Sequence, residues 1–175
     1  MEINGLTILL INLTISTWYK KMFAENNSMP PLGMLYVGTV LENAGFNVIA
    51  LDLAVENFST EELKKRIKDA NPQIIGLSTY NESWYAHIQL CRIIKKIDSN
   101  IKIFAGGAFA TFCYENILNE SETDYIVTGE GEYPTINLCK AIVNKENISK
   151  ISGVIWKNSV GEIIKNKTNS RITDL

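Results

Sequence analysis

The sequence predicts an α/β protein of three layers, αβα, in which a single parallel sheet lies between helices. Two observations carry this. Short apolar runs alternate five times in series with stretches of helical period, and serial β–α units of that kind place their strands parallel in one sheet. The first run, LTILLINL, is also apolar at nearly every position, as expected of a strand buried on both faces.

The elements follow in order. Residues 6–13 are the first strand. Residues 32–44 are the first helix, with Pro30 and Pro31 ahead of it and Gly45 as its stop. A second strand spans 46–53. A second helix spans 60–70, with Leu63, Ile67 and Ala70 on one stripe and Ser59 or Thr60 as its N-cap. The third strand is 73–78, and the third helix is 83–97, with Trp84, Ile88, Cys91 and Ile94 inward. The fourth strand, 101–105, runs into Gly106 and Gly107. A short helix at 111–118, a strand at 124–128 and a helix at 132–143 complete the units, the last turning Ile136, Cys139 and Ile142 inward. Five such units fit a flavodoxin-like (Rossmann-like) strand order 2-1-3-4-5. Residues 154–157 and 162–165 flank a turn and read as a β-hairpin beside the main sheet. The expected division is a domain over 1–150, followed by hairpin and linker over 151–175.

Composition narrows the function. Acids and bases are interspersed and sum to a net charge of −2, so no basic stripe offers itself to nucleic acid. No apolar run approaches the roughly 20 residues of a membrane helix. The N-terminus runs into a strand without a basic flank, so a signal peptide is not expected and the setting is cytoplasmic. Cys91, Cys113 and Cys139 are too far apart for a self-contained zinc or iron–sulfur site. They read as small hydrophobes in a reducing compartment.

Ligands of such folds bind at the carboxyl ends of the strands, where the strand order reverses. Asn12 ends the first strand there, and a long loop carrying Trp18, Tyr19, Met22 and Phe23 follows. That loop reads equally as a lid on a large flat ligand or as a segment packed on its own domain. Ser78, Thr79 and Tyr80 leave the third strand, where hydroxyls can reach a ligand; Ser83 reads as a helix cap. Gly106, Gly107, Ala108 and Thr111 follow the fourth strand, and paired glycines let a backbone approach a ligand closely. Gly129, Glu130, Gly131 and Glu132 follow the fifth; acids at a helix start suit a neutral, amide-bearing ligand better than a phosphate. Neither a dinucleotide fingerprint nor a P-loop is present. The single histidine, His87, falls outside the apolar stripe of its helix and reads as a surface residue.

The ordered set of short motifs is similar to that of a known family. It comprises Pro30-Pro31-Leu32-Gly33-Met34-Leu35-Tyr36, Leu41-Glu42-x-Ala44-Gly45, Val48-x-x-Leu51-Asp52 and Pro72-Gln73-Ile74-Ile75-Gly76-Leu77-Ser78. Gly106-Gly107-x-x-x-Thr111, Asp124-Tyr125-Ile126-Val127-x-Gly129-Glu130-Gly131-Glu132 and Ile151-x-Gly153-Val154-x-Trp156 complete it. Together these resemble the N-terminal cobalamin-binding domain of cobalamin-dependent radical S-adenosylmethionine enzymes. The resemblance implies a cobalamin carrier, not catalytic alone. It implies as partner a C-terminal radical domain of the same polypeptide, which would hold a [4Fe–4S] cluster and S-adenosylmethionine for methyl transfer or related radical chemistry. Related cobalamin domains carry D-x-H-x-x-G after the first strand, with that histidine on cobalt. Residues 12–27 contain no histidine, which implies binding without histidine ligation. The alternative is a docking or substrate-recognition domain that kept the fold and lost the cofactor.

Overall fold

The structure is a computed structural model that describes residues 5–13, 30–56 and 58–167. Trp18, Tyr19, Met22 and Phe23 lie outside the described residues. The strands are β1 (Thr7–Asn12), β2 (Asn47–Asp52), β3 (Ile74–Ser78), β4 (Lys102–Gly106), β5 (Tyr125–Val127), β6 (Val154–Lys157) and β7 (Ile163–Lys165). The helices are α1 (Leu32–Asn43), α2 (Thr60–Ala70), α3 (Trp84–Ile97), α4 (Ala108–Phe112), α5 (Tyr114–Glu120) and α6 (Glu132–Asn144). All seven strands form one sheet in the order β2-β1-β3-β4-β5-β6-β7. The first five are parallel, as the alternation of runs requires.

The hairpin differs from expectation. It continues the sheet at the β5 edge, with Ile126 opposite Ile155 in an antiparallel pair. A free β5 edge would leave a row of backbone donors and acceptors unpaired. Val154 and Ile155 are both buried although they point to opposite faces, the mark of a strand covered on both sides.

Each strand feeds two cores by its period of two. Ile8 and Leu10 pack with Leu41 of α1, Leu138 and Cys139 of α6, and Phe104. Leu9 and Ile11 face the opposite layer, with Ile67 of α2 and Leu90, Cys91 and Ile94 of α3. A third cluster joins Ala105, Ile126 and Ile155 to Ala110 of α4 and to Ile117 and Leu118 of α5. The start of α2 is fixed by a capping box: the Ser59 hydroxyl accepts from Glu62 N–H at 3.2 Å, and the Glu62 carboxylate accepts from Ser59 N–H at 2.7 Å.

The α3 stripe also departs from the sequence reading. His87, Leu90, Cys91 and Ile94 are its buried residues, and His87 is fully inaccessible rather than on the surface. The helix begins at Trp84, one residue late, because Asn81–Ser83 form a 3-10 turn. Ser83 staples that turn to Tyr80, donating to its C=O at 3.1 Å and accepting from its N–H at 3.0 Å. The single helix expected at 111–118 is two, α4 and α5, and α4 starts immediately after Gly107.

Gly76, in the middle of β3, leaves room for Phe104 and Leu10 in the core they share with Ile8. A Cβ there would overlap the ring of Phe104 and lie 2.7 Å from Leu10 Cδ2. Gly76→Ala is therefore expected to cost about 2 kcal/mol by overpacking. The double variant with Phe104→Leu should recover more than half of that in urea unfolding. An additive double variant would show that the two side chains do not compete for that space.

Candidate functional site

The strand ends form one row. Asp52 lies opposite Asn12, Asn12 opposite Ser78, and Ser78 opposite Gly106. The row crosses the junction of β1 with β3, where chain direction around the sheet reverses and a crevice opens. Backbone bonds continue past it: Leu13 N–H donates to Ser78 C=O at 3.2 Å and Thr79 N–H to Gly106 C=O at 3.3 Å.

Asn12 is buried and is oriented by Asp52, whose Oδ1 accepts from Asn12 Nδ2 at 2.9 Å and from Ala54 N–H at 3.0 Å. That orientation turns Asn12 Oδ1 away from Asp52, and it has no hydrogen-bond partner among the described residues. Buried orphan acceptors are costly and ask for a ligand or water. Asp52 enters the sequence reading only as the end of the Val48-x-x-Leu51-Asp52 motif and not as a site residue. Its signal was an apolar strand ending in an acid at this edge. Beside it lies a cavity of about 270 Å³ lined in part by Pro30, Pro31, Met34, Leu35 and Asp52.

The glycine loops are joined. Thr111 Oγ1 donates to Gly107 C=O at 3.0 Å and accepts from Gly129 N–H at 3.4 Å. Thr111 thus ties the β4 loop to the β5 loop. Thr128 anchors the latter to the hairpin, its N–H and hydroxyl donating to Gly153 C=O at 2.8 and 3.0 Å. Gly106 and Gly107 differ in kind. Gly107 has φ +99°, a conformation that needs glycine for the turn itself. A Cβ on Gly106 would meet only Val127 C=O, at 3.9 Å. The fold therefore leaves the space over Gly106 open.

Gly131 precedes α6 and packs against α1, where its Cβ would lie 3.4 Å from Val37 Cγ2 and 3.7 Å from Thr135 Oγ1. In that first turn Glu132 Oε2 and Thr135 Oγ1 are buried without partners among the described residues. Gly107, Ala108, Gly129, Glu130 and Tyr80 are exposed at the same edge, and Ser78 is half-buried. Thr79 is fully buried, and its hydroxyl meets His87 Nδ1 at 2.8 Å. Tyr36, Phe112 and Tyr133 are large exposed hydrophobics near the start of α1, the end of α4 and the start of α6. Among the described residues no cluster of metal-ligating side chains occurs, and no helix is long and apolar enough to cross a membrane. Burial pushes the Cys91 thiol up to about 12 and raises that of Cys139, which keeps both thiols protonated and inert.

The family of B12 binding domains matches residues 26–138. The chain belongs to this family. It is 32% identical over 151 residues to an anaerobic magnesium-protoporphyrin IX monomethyl ester cyclase of Synechocystis sp., covering 84% of this chain and 30% of that protein. The fold of this B12-binding domain is shared with a cobalamin-dependent S-adenosylmethionine radical enzyme, OxsB, at a TM-score of 0.79 and 21% identity over 95% of this chain and 23% of that one. It is shared also with a radical S-adenosylmethionine methyltransferase, TsrM, from Kitasatospora setae, at a TM-score of 0.76 and 19% identity over 93% and 30% of the two chains. The chain thus spans under a third of each of these proteins.

Proposed function

We propose that this B12-binding domain holds cobalamin, without a histidine on cobalt, for a radical S-adenosylmethionine domain of the same polypeptide that methylates or rearranges its substrate. The observation that carries the reading is the Asn12–Ser78–Gly106 row, which sets an orphan acceptor, a hydroxyl and an open glycine side by side at the switch point. Cobalamin is rimmed with neutral amides, which suit the unpaired oxygen atoms of Asn12, Glu132 and Thr135. Ser78, Gly106 and Gly107 would line the way for its nucleotide tail, and the loop from Gly129 to Glu132 would support the corrin. When bound, cobalamin supplies a cobalt-centred methyl carrier; the protein supplies placement and exclusion of water.

His87 is the only histidine of the chain. It is fully buried, with both ring nitrogens 2.8 Å from threonine hydroxyls, so it is committed within the protein. Titration with hydroxocobalamin followed by gel filtration is expected to show one equivalent bound, with a Kd on the order of micromolar. Paramagnetic resonance of the reduced cobalt(II) form should show no nitrogen splitting that depends on His87. Visible absorbance that elutes wholly apart from protein at high micromolar concentration would hand the fold to the docking reading.

A further inference from the structure

The buried polar chain around His87 ends one residue from the binding row. Thr79 Oγ1 meets His87 Nδ1 at 2.8 Å, and His87 Nε2 meets Thr123 Oγ1 at 2.8 Å. Thr123 Oγ1 lies 2.8 Å from Ser121 Oγ, and Ser121 Oγ donates to Ile117 C=O at 2.7 Å. The last acceptor is a carbonyl, which cannot donate, and this fixes every direction behind it. Ser121 spends its proton on Ile117, so Thr123 donates to Ser121. Thr123 must then accept from His87, which places the imidazole proton on Nε2. Nδ1 is left as an acceptor, and Thr79 O–H donates to it. Trp84 stacks on the imidazole with centroids 5.4 Å apart and fixes the ring plane.

Thr79 connects this chain to the ligand edge. Its neighbours are Ser78, the end of β3, and Tyr80, whose backbone Ser83 staples. Its own N–H holds Gly106 C=O at 3.3 Å, and its C=O lies 3.5 Å from where a Gly107 Cβ would stand. One side chain, clamped by His87, thus sets the spacing between the β3 exit and the paired glycines.

We infer that His87 is a positioning residue for the cofactor site: through an Nδ1 acceptor it holds Thr79, and through Thr79 it fixes the β3 and β4 loops in their binding geometry. This rests on the cobalamin reading for its ligand, whereas the positioning itself is measurable without one. Asparagine overlays an amide oxygen on Nδ1 and glutamine overlays its amide on Nε2, so the two substitutions separate the ends of the ring. His87→Asn is expected to keep hydroxocobalamin affinity within about threefold. His87→Gln and Thr79→Val, which remove the Thr79 bond, are expected to raise Kd about tenfold. Amide hydrogen exchange on the free protein should show faster exchange at Thr79 and in the Gly106–Gly107 loop for His87→Gln and Thr79→Val only. Equal behaviour of the Asn and Gln variants in both measurements would overturn the inference, because a space-filling histidine does not distinguish its nitrogens. A wild-type chain that binds no hydroxocobalamin yet shows the exchange difference would overturn the cobalamin reading and leave the positioning intact.

Discussion

Gly106→Val is expected to leave thermal stability nearly unchanged and to raise the Kd for hydroxocobalamin by about a hundredfold. Gly106 closes a strand, where valine is a good former, and an added Cβ finds only Val127 C=O at 3.9 Å. Stability has little to lose there. A ligand that rests on the backbone of the Asn12–Ser78–Gly106 row meets two added methyl groups and is displaced. Gly107→Val is the contrasting variant. Its φ of +99° places any other residue in a strained region costing about 1–3 kcal/mol, so it should lose stability together with affinity. The paired measurement is the thermal midpoint with no ligand against the titration midpoint. If Gly106→Val binds as wild type does, the ligand does not approach the row. If it loses midpoint and affinity in proportion, Gly106 serves the fold alone.

The sequence reading of the glycine pair as ligand-facing treated both residues alike. Their division could not be read from residue type, since it depends on one backbone angle and on what stands across the sheet. The row itself was legible at Asn12, Ser78 and Gly106, because each ends an apolar run and all parallel strands end on one edge. Asp52 was legible as a motif residue but not as a site residue, because its role is a side-chain bond across the β1–β2 register, 40 residues away in sequence. The α3 stripe failed for a different reason. Hydrophobic periodicity scores a histidine as polar and so turned it outward. A buried histidine is tolerated when both nitrogens have partners, and here one partner, Thr123, lies 36 residues along the chain. The hairpin was legible as a hairpin, but its pairing with β5 was not: edge choice depends on the strand left unpaired after the parallel units are placed.

Acid is expected to destabilise the chain through His87 from about pH 6.5 downward. Burial without a neighbouring acid lowers the imidazole from its usual 6.5 to about 4. The groups near it are Cys91, whose Sγ is 3.5 Å from Nε2, and beyond that thiol the Lys95–Asp124 ion pair. The depressed value means that the folded state keeps the ring neutral while the unfolded chain takes up a proton. Stability is then fully present above pH 6.5 and is lost as pH falls toward 4, where the native ring protonates as well. The whole window corresponds to roughly 3 kcal/mol, of which about 1.5 kcal/mol falls between pH 6.5 and 5. Glu62 does not confound that upper half. Its carboxyl is held below 4.5 by the Ser59 hydroxyl and backbone bonds, so its contribution is lost only at lower pH. Urea unfolding at fixed ionic strength from pH 5 to 7 should therefore show a steady decline in the wild-type chain. The His87→Asn variant, with no titrating ring, should be flat over the same range. A flat wild-type profile, or a decline that survives in His87→Asn, would mean that the ring is not held neutral between Thr79 and Thr123.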